Sequence, residues 1–262
     1  MLKRWRLIDS GVGTAQYNMA VDEALLSSYT KGSLPILRLY RWENSLSFGR
    51  FSDVKSALDL KTLQEKRLPH VRRMTGGGVL VHGGDLSYAL VLPRESLEDV
   101  GVKKSYQYLC GFLLELYKKL GFYAAFAHDL NLQNSKSAIC MASYEPYDII
   151  IEGKKMGGNA QRYRKNMLFQ HGTVPITLNR EHFKNLFLEE SGLGAAASLE
   201  TMQKEMTHAQ LSALLIEAFE TFFDATLLPD TLNRSEKRRA YELLANKYSQ
   251  EGWNRDAKHD AT

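Results

Sequence analysis

The chain reads as an α+β protein, a mixed, largely antiparallel sheet flanked by helices, and three observations predict it. Apolar runs of strand length cluster in the first part of the chain, at Ile36–Trp42, residues 46–51 and residues 86–92. The strongest helical periodicities, over residues 104–120 and 207–223, fall later and in mixed order with further strand-like runs. Two such runs, residues 147–151 and 167–176, flank a glycine-bearing connection, which suggests that they pair antiparallel.

Taken in order, residues 14–29 read as a helix with Met19, Ala20, Ala24 and Leu25 on its apolar positions and Gly32 past its end. The run through Ile36, Leu37, Leu39, Tyr40 and Trp42 is a buried strand, and residues 46–51 form a second one interrupted by Gly49. Residues 56–66 make a short helix. A basic strand then leads into Gly76, Gly77 and Gly78, and residues 86–92 are a further strand. Three consecutive glycines are either a tight turn or a place where backbone amides converge on an anion or a carbonyl.

Residues 104–120 form the clearest amphipathic helix, with Leu109, Cys110, Leu113, Leu116 and Tyr117 on one face. Cys110 is thereby expected to be a buried structural thiol. Residues 122–127 are a candidate strand, 129–137 a polar loop, 180–188 a short helix and 192–198 a linker of small residues. The helix at 207–223 opens with the capping-box pair Thr207 and Gln210, and a charged helix spans 235–248. The expected organisation is one catalytic domain over residues 1–262, with those two helices packed back on it and a disordered tail at 254–262.

With 262 residues, 44% of them hydrophobic and 24% charged, the composition is that of a soluble globular protein with a full core. No apolar run reaches the length of a membrane span, and the start of the chain has no apolar signal region, so the cytoplasm is the expected location. Cys110 and Cys140 have no metal spacing and make no disulfide framework. A net charge of +4, scattered along the chain rather than massed on one helix, fits an acidic protein partner as well as nucleic acid, and a solvated surface with no partner meaning as well as either.

The chemistry concentrates in residues 138–175. Cys140 is either a small core residue or a nucleophile, and Lys155, fifteen residues on, is the cation that would favour its thiolate. Gly157 and Gly158 leave bare backbone for a ligand's close approach, followed by Asn159 and Ala160. His82, and His171 with Gly172, either line a pocket as structural histidines or touch substrate. Lys154 reads as a solvated charge, and no metal constellation is present in the sequence.

Several segments carry a family resemblance. Arg72-Arg73-Met74-Thr75-Gly76-Gly77-Gly78 with the following His82 resembles the Arg-Arg-x-Ser/Thr-Gly-Gly segment of the lipoate-protein ligase and octanoyltransferase group. Lys155-Met156-Gly157-Gly158-Asn159-Ala160 and Gln170-His171-Gly172-Thr173 resemble that group's lysine strand and His-Gly-Thr strand. The helix at residues 18–26 and the segment Leu37-Arg38-Leu39-Tyr40-Arg41-Trp42 match as well, so the likeness runs from about Trp5 to Leu188. It implies the catalytic domain shared with biotin protein ligases.

Within the group the chain is most similar to LipM-type octanoyltransferases, whose cysteine precedes the lysine strand, as Cys140 in Ser137-Ala138-Ile139-Cys140-Met141 does here. That implies transfer of octanoate from acyl carrier protein to a lysine of a lipoyl-accepting protein, such as glycine cleavage H protein, through an acyl-Cys140 thioester. Cys140 and Lys155 would be catalytic, and Arg72, Arg73, the glycines and the histidines would bind substrate. No cofactor is expected on this reading, and the chain is expected to act as a monomer. Gly78 stands where the transferases usually carry arginine and the ligases glycine, Met141 replaces a phenylalanine, and Ser52 a glutamine. An ATP- and magnesium-dependent lipoate ligase therefore stays open, as does a catalytically silent binding module for an acylated partner.

Overall fold

The computed structural model describes residues 2–97, 101–130, 145–188 and 196–257. Strand β1 (Arg4–Gly13) leads into helix α1 (Ala15–Ser28), which Thr14 caps by accepting from the amide of Tyr17. Strands β2 (Ile36–Trp42) and β3 (Ser45–Phe48), short helices α2 (Val54–Ala57) and α3 (Leu60–Glu65), and strands β4 (His70–Arg72), β5 (Val79–His82) and β6 (Asp85–Pro93) follow. Helix α4 (Val102–Lys119) precedes β7 (Ala124–Phe126), β8 (Ile149–Ile151), β9 (Lys154–Lys155), β10 (Gly158–Arg164) and β11 (Met167–Pro175). The chain then continues through α5 (His208–Phe223), β12 (Thr226–Asp230), α6 (Arg234–Leu243), a π-helical turn (Leu244–Tyr248) and α7 (Glu251–Asp256).

The main sheet has the order β10-β11-β6-β2-β1-β12, parallel at β1–β2 and β1–β12 and antiparallel elsewhere. Its central strands are covered on both faces, which is why they read as apolar runs. On β6 the period-two alternation sends Leu86, Tyr88, Leu90 and Leu92 into one core with Leu109, Leu113 and Leu116 of α4 and Phe219 of α5. Ala89 and Val91 face the other core, with Met19, Ala20 and Leu25 of α1 and Ala240 of α6. Helix α5 carries the capping box Thr207–Gln210, and its Phe219 meets Phe112 of α4 edge-on at 5.4 Å. Two small sheets, β4-β3-β5 and β7-β8-β9, stand beside the main one.

Four expectations need correction, and one strand is new. The runs at 147–151 and 167–176 do not pair with each other. β8 joins the small sheet, Gly157 at φ 71° redirects the chain, and β11 instead pairs with β10 through a hairpin that turns at Lys165, φ 52°. β10 escapes sequence reading because, as a half-buried edge strand, it is polar. The helix at 56–66 is two, since Asp59 accepts from the amides of Lys61 and Thr62 and starts α3 afresh. Residues 180–188 form turns rather than a helix, with Asn185 left-handed at φ 62° and Lys66 bonding the carbonyls of His182 and Lys184. β12 is an unexpected strand beside β1. Asn254 does not begin a disordered tail: Trp253 and Asn254 are buried in α7.

Candidate active site

The glycine loop after β4 is held by its neighbours on both sides. The amide of Arg73 donates to Phe48, that of Arg50 to Thr75 and that of Gly49 to Gly78. A Cβ on Gly49 would lie 1.7 Å from the carbonyl oxygen of Gly77, so the two segments can cross only where this side chain is missing. The Arg73 guanidinium takes the carbonyls of Gly76 and Gly78 and, from its other arm, the carbonyl and hydroxyl of Ser47.

Arg73, Gly76 and Gly77 form one rim of a pocket that Gly158, Asn159 and Ala160 of β10 also line. Its floor is made by Tyr40 and Trp42 of β2, Ser87 of β6 and His82 of β5, and Leu80 of β5 lines it as well. His171, Gly172 and Thr173 of β11 complete the lining. Gly77 is exposed at the mouth, whereas Tyr40, Trp42 and Ser87 are buried.

The polar groups of that floor are turned on one another. Arg73 can only donate to the Ser47 hydroxyl, at 2.8 Å. The Ser47 hydroxyl is also hydrogen-bonded to Nε2 of His82 at 2.7 Å, and Nδ1–H of His82 donates to Asp85 at 3.0 Å. Asp85 also accepts from the Gly83 amide and from the hydroxyls of Ser87 and Thr173. Burial works against ionisation of Asp85, but His82 and these donors outweigh it and hold the carboxyl below its usual range. The indole of Trp42 stacks on His82 at 4.0 Å and donates to Ser87. The pocket consequently shows carbon to a ligand, although many of its lining residues are polar.

His171 is held in the same manner, with Nε2 2.7 Å from the Thr75 hydroxyl and Nδ1 3.4 Å from Asp22. Asp22 in turn pairs with Arg38 at 2.6 Å, both fully buried. Burial pushes the His171 imidazole down, against the pull of Asp22, so the ring is neutral at physiological pH.

Lys155 lies on β9, three residues before the pocket-lining Gly158. Its ammonium sits 2.6 Å from Asp148, and its carbonyl accepts from the amide of Ala197. The segment read as a small-residue linker thus ends, at Ala196 and Ala197, as buried packing against the lysine strand. Burial raises the Asp148 carboxyl above its ordinary value, and Lys155 pulls in the other direction.

Of the candidate residues, Arg73, Gly76, Gly77, His82, Gly158, Asn159, Ala160, His171 and Gly172 converge on the pocket. Arg72 does not. Its guanidinium bonds the carbonyls of Gly49, Arg50 and Ser52 on one side and Trp253, Asn254 and Arg255 on the other. Successive strand residues point to opposite faces, so only one of the two arginines can reach the pocket. Gly78 lies behind the rim, bonded to Arg73 and Gly49, and Gly157 lines a neighbouring cavity. Cys140 lies outside the described residues. Cys110 is buried as expected, and burial pushes its thiol up. Sequence reading missed the lining residues Leu80, Ser87 and Thr173 and the supports Asp22, Ser47 and Asp85. A signal was available: Asp85, Ser87, His171 and Thr173 are polar at alternate positions of otherwise apolar strands. Among the described residues no group of His, Cys, Asp and Glu could hold a metal ion, and no helix is long and apolar enough to cross a membrane.

A twisted mixed sheet carrying a glycine loop, a lysine strand and a carbon-lined slot defines an acyl-handling catalytic domain. The chain belongs to the lipoyl protein ligase A/B catalytic domain family, whose model matches residues 14–220. Octanoyltransferase LipM of Bacillus subtilis is 30% identical over 270 residues, covering 95% of this chain and 97% of that protein. LipM of Oceanobacillus iheyensis is 31% identical over 265 residues, covering 95% and 96%. The crystal structure of lipoate-protein ligase A bound with ATP matches with a TM-score of 0.82 at 25% identity, covering 97% of this chain and 99% of that one. The fold is also that of Ta0514, a protein of T. acidophilum described as a putative lipoate protein ligase with bound lipoic acid, at a TM-score of 0.81 and 24% identity, covering 97% and 100%.

Proposed function

We infer that this protein is an octanoyltransferase of protein lipoylation. It takes an octanoyl group from acyl carrier protein and places it on a lysine of a lipoyl-accepting protein such as glycine cleavage H protein. The observation that carries the reading is the reach of the likeness: LipM octanoyltransferases match at about 30% identity over 95% of the chain. The carbon-lined pocket supports it, since a saturated acyl chain asks for no polar partner. A net charge of +4 favours encounter with acidic carrier proteins.

The reaction runs in two steps through Cys140. Its thiolate attacks the donor's thioester carbonyl, the carbon–sulfur bond to the carrier breaks, and the carrier thiol leaves with the proton Cys140 gave up. The neutral amine of the acceptor lysine then attacks acyl-Cys140, an amide forms, the amine's surplus proton departs and the thiolate is restored. One thioester replaces another in the first step, so ATP and magnesium are not needed. The Lys155 ammonium favours the thiolate, and the backbone amides near Gly77 and Gly158 stabilise the oxyanion. Helix α5 lays its apolar face on the α4 side of the main sheet, which supports a chain that works as one domain; the reading places it in the cytoplasm, as a monomer.

The deciding experiment mixes purified protein with octanoyl carrier protein and locates the acyl group by mass spectrometry, for wild type and Cys140→Ser, each with and without ATP. An octanoyl adduct on Cys140 and loss of acceptor modification in Cys140→Ser are expected. Acceptor modification by Cys140→Ser that needs ATP and free octanoate or lipoate would instead establish a ligase.

A further inference from the structure

Leu80, His82 and Thr173 line two cavities at once: the pocket described above and a second one beside it. The second is walled by the apolar Val81, Pro175, Leu178 and Phe183, with Asp85, Thr177 and Asn179 as further polar members of its lining. His82 and Thr173 are immobilised members of this partition, because both are buried and both donate to Asp85. Leu80 differs: it is half-buried hydrocarbon with no polar tie. Its two methyls lie 3.4 and 3.6 Å from where a Cβ on Gly158 would stand, so it closes the gap that the bare Gly158 leaves.

The direction of an acyl chain follows from burial. Gly77 is exposed, whereas His82 and Thr173 of the shared wall are buried, so an acyl group whose carbonyl reacts at the Gly77 end runs its hydrocarbon toward that wall. We propose that Leu80 is the residue that sets acyl-chain length. An eight-carbon chain ends against its side chain, and the cavity beyond it takes the terminal methylenes of longer straight-chain acyl groups once that side chain is shortened. The proposal rests on the acyl-transfer reading above and adds to it where the chain stops.

The test compares wild type with Leu80→Ala in two arms. The first measures transfer from octanoyl and dodecanoyl carrier protein to a lipoyl-accepting protein. The second measures binding of free octanoic and dodecanoic acid by calorimetry and needs no turnover. Pocket discrimination of about tenfold for one methylene sets the scale, and the dodecanoyl-to-octanoyl preference of Leu80→Ala is expected to rise at least about tenfold. Leu80→Val should move the same way by less, and it carries the test if Leu80→Ala does not fold. An unchanged preference in a folded variant overturns the proposal, and so does a wild-type protein that binds neither acid. A wild type that binds octanoic acid without transferring octanoate sinks the transferase reading alone and leaves the length test readable in the binding arm.

Discussion

The Lys155 ammonium and the Asp148 carboxylate stand 2.6 Å apart with both side chains about 5% exposed. An exposed-pocket lysine could be deleted at little cost to the fold; this one cannot. Removing one partner of a buried pair typically costs about 3–5 kcal/mol, because the other charge is left desolvated. Lys155→Ala is therefore expected to lose stability on that scale as well as turnover. Asp148→Asn added to it should recover much of the stability and none of the activity. Urea titration and an acyl-transfer assay on the same preparations check both, and near-normal transfer by either variant would remove Lys155 from the mechanism.

A second prediction concerns the arginine that turned away from the pocket. Arg72 ties the loop at Gly49–Ser52 to the carbonyls of Trp253, Asn254 and Arg255, while Trp253 returns a bond to the carbonyl of Arg72. Trp253 is 1% exposed, so Trp253→Ala should cost about 3–5 kcal/mol by denaturant titration. Because that loop supports the glycine rim, the folded fraction should also transfer more slowly. Full specific activity in the folded fraction would show that the C-terminal helix serves stability alone.

What the sequence disclosed here, and what it withheld, follow one physical rule. Strands covered on both faces and helices with one apolar stripe carry strong patterns, and β2, β6, α1, α4 and α5 are legible for that reason. The hairpin of β10 and β11 was not, because Gly158–Arg164 is half-buried and its alternation is masked by polar side chains. At the site, composition and spacing located the glycine loop, the lysine and the histidines. They could not separate Arg72 from Arg73, since which of two neighbours faces inward is decided by strand register. Nor could they show that Asp22 and Ser47 hold the histidines, because those contacts span 149 and 35 positions along the chain.

The crossing from β9 to β10 makes a third prediction. Gly157 has φ 71°, and a Cβ there would lie 1.9 Å from the carbonyl oxygen of Thr173. Gly11 has a similar φ of 65° with nothing within 4 Å. Gly11→Ala should thus cost only the left-handed backbone penalty, about 1–2 kcal/mol. Gly157→Ala should cost clearly more, since the hairpin must shift, and it should displace Gly158 from the pocket wall. Equal losses in chemical denaturation would show that the close approach to Thr173 has no energetic weight.

The buried His171 makes the protein sensitive to mild acid. Its imidazole is held below its ordinary value of 6.5, chiefly by burial, with Asp22 opposing. In the unfolded chain the ring takes up a proton near 6.5, while in the folded chain it resists, so the unfolded state binds more protons below that pH. The stability held by the neutral ring is complete above 6.5 and is lost progressively as the pH falls toward the lower folded-state value. Protonation would also turn Nε2 from an acceptor for Thr75 into a donor, reversing that hydrogen bond at the start of the glycine loop. Melting temperature measured from pH 8 to pH 5 should accordingly drop below 6.5, and His171→Gln, which can still bond Thr75, should flatten that part of the profile at some cost in overall stability. An identical pH slope in His171→Gln would assign the acid sensitivity to another group.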